Sequence, residues 1–301
     1  MYDYHSFSFS VIGANHLKHG MAIQDYAINY HGENMAFAAV ADGHGDRDCF
    51  RSDRGARFAT ECAKDCITGF IQTAAEKNIC NKYHGDELFK QLSKSIISDW
   101  YKKVWSDCDE DSFKESELVN VSNKYRKKYI EKERMENAYG CTLIAAAITE
   151  KYWFGLQIGD GKCVAMCEDL SFVQPIPWDS KCFLNETTSI CDENAINEFR
   201  YYTSPSLPIA VFLGTDGIDD SFQNDSQLYG MYERIVLNIF ENGIYGGEDS
   251  LREFLPELTK RGSGDDVSIA GLIHMPQLNN KLKKNGDSLC IVKNVSPTPC
   301  G

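Results

Sequence analysis

The apolar positions of this chain fall into short runs broken by glycine and acidic residues. Residues 5–13 alternate polar and apolar, the period of a half-buried strand. Ala14 to Gly20, with two histidines and a lysine, reads as a polar loop. Gln24-Asp25 opens a strand over Tyr26–Tyr30, and His31 to Asn34 form a four-residue turn. Met35–Ala41 is an apolar run that stops at Asp42-Gly43-His44-Gly45, and a run of that length bounded by glycine reads as a core strand. Beyond it, Ala56, Ala59, Ala63, Cys66, Ile67, Phe70 and Ile71 recur at three and four, which predicts a helix over 52–78. Leu88, Phe89, Leu92, Ile96 and Trp100 predict a second over Asp86–Trp105, packed with the first on a sheet.

Three strands follow closely, Cys141–Thr149, Tyr152–Ile158 and Cys163–Cys167, joined at Glu150-Lys151 and at Gly159–Lys162. Residues 171–208 show no clear period and read as loop with one short helix near 192–199; loops this long often act as lids or specificity elements. Ile209–Leu213 is a further strand. Helices are predicted over Leu228–Phe240 and Leu251–Lys260, then a last core strand over Val267–Ile273. Residues 275–301 are polar and read as peripheral, with Leu289–Val292 a candidate edge strand. Consecutive hairpins and paired helices predict an α+β fold of antiparallel sheets covered by helix pairs. No repeat or linker divides the chain, so one domain is expected over 1–275, with a tail over 276–301.

Composition narrows the functional classes. The 301 residues are 43% hydrophobic, enough for a large core. With 44 acidic and 31 basic residues the net charge is −13, which argues against general binding to nucleic acid or anionic membranes. The 12 cysteines are scattered without a C-x-x-C pair, the usage of free thiols in a reducing cytoplasm. The N-terminus lacks a signal-peptide pattern and no run of 18 apolar residues occurs, so the protein is expected in the cytoplasm. Residues 107–117 carry six acidic side chains and one lysine; residues 124–136 carry six basic and three acidic ones. The pair reads as a solvated loop and an exposed helix, or as a partner-binding insertion over about 107–136.

One chemical pattern recurs: an apolar strand ending in a carboxylate beside glycine. It appears at Asp42-Gly43, Asp160-Gly161 and Asp216-Gly217, and acidic residues also flank strand starts at Gln24-Asp25 and Gly264-Asp265-Asp266. One such site is ordinary turn chemistry. Five converging at one edge of a sandwich would repel one another unless cations neutralise them. Oxygen ligands suit hard cations such as Mg2+ or Mn2+, and two such ions about 4 Å apart suit phosphoryl-transfer hydrolysis.

The ordered set Gln24-Asp25, Ala41-Asp-Gly-His-Gly45, Ile158-Gly-Asp160, Thr215-Asp-Gly217 and Gly264-Asp-Asp266 resembles the motif series of metal-dependent serine/threonine protein phosphatases of the 2C type, over about residues 8–273. The version around Asn15-His16 and Gln24-Asp25 is similar to a bacterial branch. The resemblance implies a four-layer αββα sandwich and hydrolysis of phosphoserine or phosphothreonine in phosphoproteins made by Ser/Thr kinases. It implies two Mg2+ or Mn2+ ions and a weaker third. Asp42 would bridge the first two, with the Gly43 carbonyl on one of them. Asp216 and Asp265 would complete the first shell, Asp25 would serve the second ion, and Asp160 with Asp216 the third. His44 resembles a general acid, the residue type that holds a proton near neutral pH. Two positions depart from the pattern. Gly20 stands where many relatives place a phosphate-holding arginine, leaving His16, Lys18 or His19 as substitutes, and Gln24 stands where some place a ligating glutamate. Those departures motivate an alternative: a pseudophosphatase that binds a phosphoprotein or partner without turning it over.

Overall fold

The computed structural model describes residues 3–72, 79–80, 82–182 and 187–284. The chain enters as β1 (Tyr4–Val11), turns through a short helix α1 (Ala14–His19), and runs out and back as β2 (Tyr26–His31) and β3 (Met35–Ala41). All seven residues of β3 are buried because both of its faces are covered. Met35, Phe37, Ala39 and Ala41 point toward helices, whereas Ala36, Ala38 and Val40 point into a second sheet. Helices α2 (Ser52–Gln72) and α3 (Lys82–Glu110) form that outer layer, joined where Trp100 Nε1 donates to the Gly55 carbonyl at 3.0 Å.

Short helices α4 (Glu115–Leu118) and α5 (Asn123–Ile130) and a 3₁₀ turn (Met135–Tyr139) lead into β4 (Leu143–Thr149), β5 (Trp153–Ile158), β6 (Lys162–Met166) and β7 (Phe172–Val173). After α6 (Ala195–Glu198) come β8 (Arg200–Ser204), β9 (Ala210–Gly214), α7 (Asp216–Asp219), α8 (Asp225–Arg261), β10 (Val267–His274) and α9 (Met275–Lys284). Two antiparallel five-stranded sheets result, ordered β1-β10-β9-β6-β7 and β2-β3-β4-β5-β8. Three apolar layers hold them. One lies between the second sheet and α2–α3, one between the sheets, and one between the first sheet and α8–α9, where Phe212, Ile269, Tyr232, Leu255 and Leu278 meet. This is the expected αββα sandwich. Among the described residues no helix is long and apolar enough to cross a membrane, and the ten described cysteines are free.

Several local expectations are corrected. Residues 14–19 are helix rather than loop; the segment has no buried residue and hence no apolar stripe to betray it. The helix expected over 52–78 is seen to Gln72, and its last six positions lie outside the described residues, as does Leu289–Val292. Within 171–208 the chain forms β7 and the edge strand β8, whose polar sequence hides that Tyr201 stacks on Phe89 while Tyr202 packs against Trp153 on the opposite face. The two helices expected over 228–260 are both present, as the two arms of α8 on either side of a non-helical Gly243 (φ 73°, ψ 175°). Residues 275–284 are not peripheral: α9 buries Leu278 and Leu282.

The acidic run 107–117 is not a solvated loop either. It closes on Arg51, which is only 2% exposed. The guanidinium donates to both Glu117 carboxylate oxygens (2.8 and 3.0 Å), to the Asp111 carbonyl (2.7 Å) and to Tyr139 Oη (2.9 Å), and lies over the Phe113 ring. Removing one partner from a buried ion pair costs about 3 kcal/mol or more. Arg51→Met is therefore expected to lower the unfolding free energy by that amount, seen as a lower denaturant midpoint, and an unchanged midpoint would show that the acidic run stands without it. The 107–136 stretch also reaches the segment between β3 and α2. Asp48 accepts from Ser122 N (2.6 Å) and Ser122 Oγ (2.8 Å), and Tyr129 Oη donates to the Asp48 carbonyl (2.7 Å).

Candidate active site

Three strand ends deliver carboxylates to one point. Asp42 follows β3, Asp160 sits in the β5–β6 turn, and Asp216 follows β9 at the start of α7; one carboxylate oxygen of each lies within 4.8 Å of the others. Asp42 is fixed by a continuation of the β3–β4 ladder. Its N–H donates to Thr142 Oγ1 (3.0 Å), and its carbonyl accepts from Thr142 N (2.8 Å). The next residue must be glycine: a Cβ on Gly43 would lie 2.6 Å from the Gln24 carbonyl oxygen and 2.9 Å from the Ser52 carbonyl group.

Asp25 joins the cluster from below. It is 4% exposed and accepts from Thr215 Oγ1 at 2.7 Å, while Thr215 Oγ1 accepts from Ser268 N at 3.0 Å. Asp25 and Asp42 also hydrogen-bond each other. Burial pushes Asp42 well above the usual carboxylate range, and the charges of Asp216, Asp25 and Asp160 push it further. Asp216 is raised in the same way, by burial first and then by Asp160, Asp25 and Asp265. Burial pushes Asp25 up to about 7 against the opposing Thr215 bond, and Asp219 up to about 7 against the Lys162 ammonium 3.2 Å away. Without cations the cluster therefore holds protons. One oxygen each of Asp160 and Asp219 is buried with no hydrogen-bond partner, and the nearby donors are carboxylates. That set fits hard divalent ions.

His44 lies on the rim of this cluster. Its N–H donates to the Gly140 carbonyl (3.1 Å), and its ring packs so closely that a Cβ on Gly140 would be 2.9 Å from Cδ2. Burial lowers the imidazole pKa, with the Asp160 and Asp46 charges opposing.

Asp265 sits beside Asp216 but groups more tightly with His16 and Asp266. Asp266, quoted above only as part of an acidic motif, is 3% exposed and acts as a clamp. It accepts from Gly13 N (2.6 Å), Gln24 N (2.6 Å) and His16 Nδ1 (2.9 Å), tying the loop before β2 to the start of β10. Lys18 and His19 are exposed on α1, where His19 Nδ1 meets the Asn15 carbonyl (2.8 Å); no described contact joins either to the carboxylates. Gly20 caps α1 in the left-handed region (φ 66°, ψ 26°), a conformation that strains an arginine.

Sequence reasoning missed the groups that hold the ligands. Thr215 stands inside a quoted motif, where a hydroxyl beside an aspartate carries no signal of its own, and Thr142 lies in the apolar run 141–149, outside every motif. Arg200 was hidden in the aperiodic stretch. It donates to the Gly159 and Pro177 carbonyls, while Thr188 Oγ1 accepts from Gly159 N (3.1 Å) and donates to Asp179 (2.9 Å), so Arg200 of β8 and the Asp179–Thr188 pair anchor the turn carrying Asp160.

The protein phosphatase 2C family model matches residues 12–256. No curated protein matches the chain by sequence. Among solved structures, the serine/threonine phosphatase Stp1 from Staphylococcus aureus is 14% identical, with a TM-score of 0.56 over 90% of this chain and 94% of that one. A bacterial serine phosphatase is 14% identical, with a TM-score of 0.55 over 89% and 96%. The catalytic domain of the serine threonine protein phosphatase PstP, in complex with 2 manganese ions, is 12% identical, with a TM-score of 0.50 over 90% and 97%. At these identities the likeness is one of fold.

Proposed function

The chain belongs to the protein phosphatase 2C family, and from that premise we propose that it hydrolyses phosphoserine and phosphothreonine in proteins with two Mg2+ or Mn2+ ions. The observation that carries the reading is the convergence of Asp42, Asp160 and Asp216 on one point, with a buried Asp160 oxygen left without a partner. In this reading Asp42 would help to hold both ions and the Gly43 carbonyl one of them. Asp216 and Asp265 would complete the first site, Asp25 would serve the second, and Asp160 with Asp216 would hold a weaker third. Bound divalent ions supply Lewis-acid chemistry there, neutralising the carboxylates and making hydroxide available near neutral pH. Thr142 fixes the Asp42 backbone and Thr215 the Asp25 carboxylate, and His44 donates a proton to the departing serine or threonine oxygen. Of the three substitutes for the arginine absent at Gly20, Lys18 and His19 would face the substrate phosphate, because both ring nitrogens of His16 are turned to Asp265 and Asp266. Cytoplasmic phosphoproteins made by Ser/Thr kinases are the proposed substrates.

The purified protein is expected to hydrolyse both an aryl phosphate and a phosphothreonine peptide with Mn2+, and EDTA is expected to stop both. His44→Asn should slow the peptide by about a hundredfold while sparing the aryl phosphate, whose leaving group needs no acid. Equal slowing of both substrates would remove His44 from the acid role. A second reading rests on Gly20 and Gln24: a pseudophosphatase that binds phosphopeptide tightly without turnover under any metal tried.

A further inference from the structure

We infer that His16 supplies an imidazole nitrogen to the divalent ion held by Asp265, making that site a mixed nitrogen–oxygen site that favours Mn2+ over Mg2+. The inference rests on the metal-dependent reading above and adds to it a ligand that the family resemblance does not supply.

The geometry begins at Asp266. This buried carboxylate already accepts two backbone N–H groups, from Gly13 and Gln24, and is thereby fixed in place. His16 Nδ1 lies 2.9 Å from the same carboxylate. An ionised carboxylate has no proton to give, so Nδ1 is the donor. On a neutral ring that leaves Nε2 as a bare lone pair. Nε2 in turn faces Asp265 Oδ1 at 3.5 Å. Two electron-rich atoms aimed at each other across such a gap call for a cation between them. A histidine locked by a carboxylate behind it, with its free nitrogen turned toward another acidic ligand, is the usual supporting arrangement of a metal-bound imidazole. The pair is also accessible: the Asp265 side chain is 55% exposed and that of His16 is 15% exposed, so an ion can enter from the Asp265 side. Oxygen-only sites suit Mg2+, whereas an imidazole ligand shifts preference toward Mn2+ and later transition ions. The competing arrangement is a proton on Nε2, with His16 as an imidazolium bridging Asp265 and Asp266.

The test is pulsed electron paramagnetic resonance on the full-length protein, carrying isotopically labelled histidine and loaded with Mn2+. The expected spectrum shows nitrogen coupling from a directly bound imidazole, lost in His16→Gln and kept in His44→Gln. By calorimetry, His16→Gln and Asp266→Asn should each weaken Mn2+ binding by about tenfold while changing Mg2+ binding less. Mn2+ binding without nitrogen coupling overturns this inference alone, as does coupling that disappears in His44→Gln. Absence of Mn2+ binding overturns the metal-dependent reading and this inference with it. The wild-type spectrum decides the matter even if His16→Gln does not fold.

Discussion

Asp42→Asn and Asp216→Asn are each expected to reduce Mn2+-dependent phosphate hydrolysis by roughly a thousandfold or more, equivalent to about 4 kcal/mol of lost transition-state stabilisation. Both residues sit at the point where the strand ends meet, and each is pushed above the usual carboxylate range by burial and by the charges of its neighbours. An amide is a poor ligand for a hard cation, so the loss falls on metal binding and on the reaction together. The fold should survive. In the metal-free protein the raised Asp42 carboxyl is protonated and hydrogen-bonded to Asp25. Asparagine has the same shape and offers the same kind of donor, so the melting temperature of metal-free Asp42→Asn should equal or exceed that of wild type. The informative result is therefore a pair of measurements: rate with Mn2+, and melting temperature without it. Wild-type rates in both variants would end the metal mechanism. A lost rate with a collapsed melting temperature would make the effect one of folding.

The same geometry shows which parts of the molecule could be read from sequence. Asp42, Asp160 and Asp216 were legible because each terminates an apolar run beside a glycine, and strand ends in a sandwich fall at its edges. Their order along the chain carried the family resemblance. Sheets covered by helix pairs were legible from the hairpins and apolar stripes, and the resemblance supplied the αββα order; β3 is apolar at every position because helices cover one face and a sheet the other. What escaped depends on partners far away in sequence. Nothing in its local sequence marks Arg51, whose guanidinium is enclosed by residues 56 to 88 positions downstream. Asp266 looked like a turn residue, and its clamp function exists only because Gly13, His16 and Gln24 fold back onto it. The 14–20 segment lacks an apolar face, so no periodicity announced α1. The missing arginine at Gly20 has a backbone cause, a left-handed cap that no motif comparison reveals.

The metal-free protein is expected to lose stability as pH rises from about 4 to about 7, and Mn2+ is expected to cancel that loss. Asp25 and Asp219 titrate near 7 in the folded state against an ordinary value of 3.8, and Asp42 and Asp216 are raised well above that value. Between those limits the folded protein binds more protons than the unfolded chain, so its stability falls with rising pH. A shift of about three units in one buried group corresponds to roughly 4 kcal/mol, on the order of 10 °C in melting temperature. Glu117 and Asp179 act with the opposite sign. Bonds from Arg51 hold Glu117 low, and bonds from Lys181 N and Thr188 hold Asp179 low, so their stabilisation disappears as pH falls. The raw pH profile therefore mixes both effects, and the increment produced by Mn2+ separates them. Protons and cations compete for the same oxygens, whereas Glu117 and Asp179 lie outside the cluster. The increment in melting temperature on adding saturating Mn2+ should thus be small near pH 4 and grow steadily to pH 7. A flat increment over that range would mean that the carboxylates are already ionised without metal, and that their mutual repulsion is relieved by some other group.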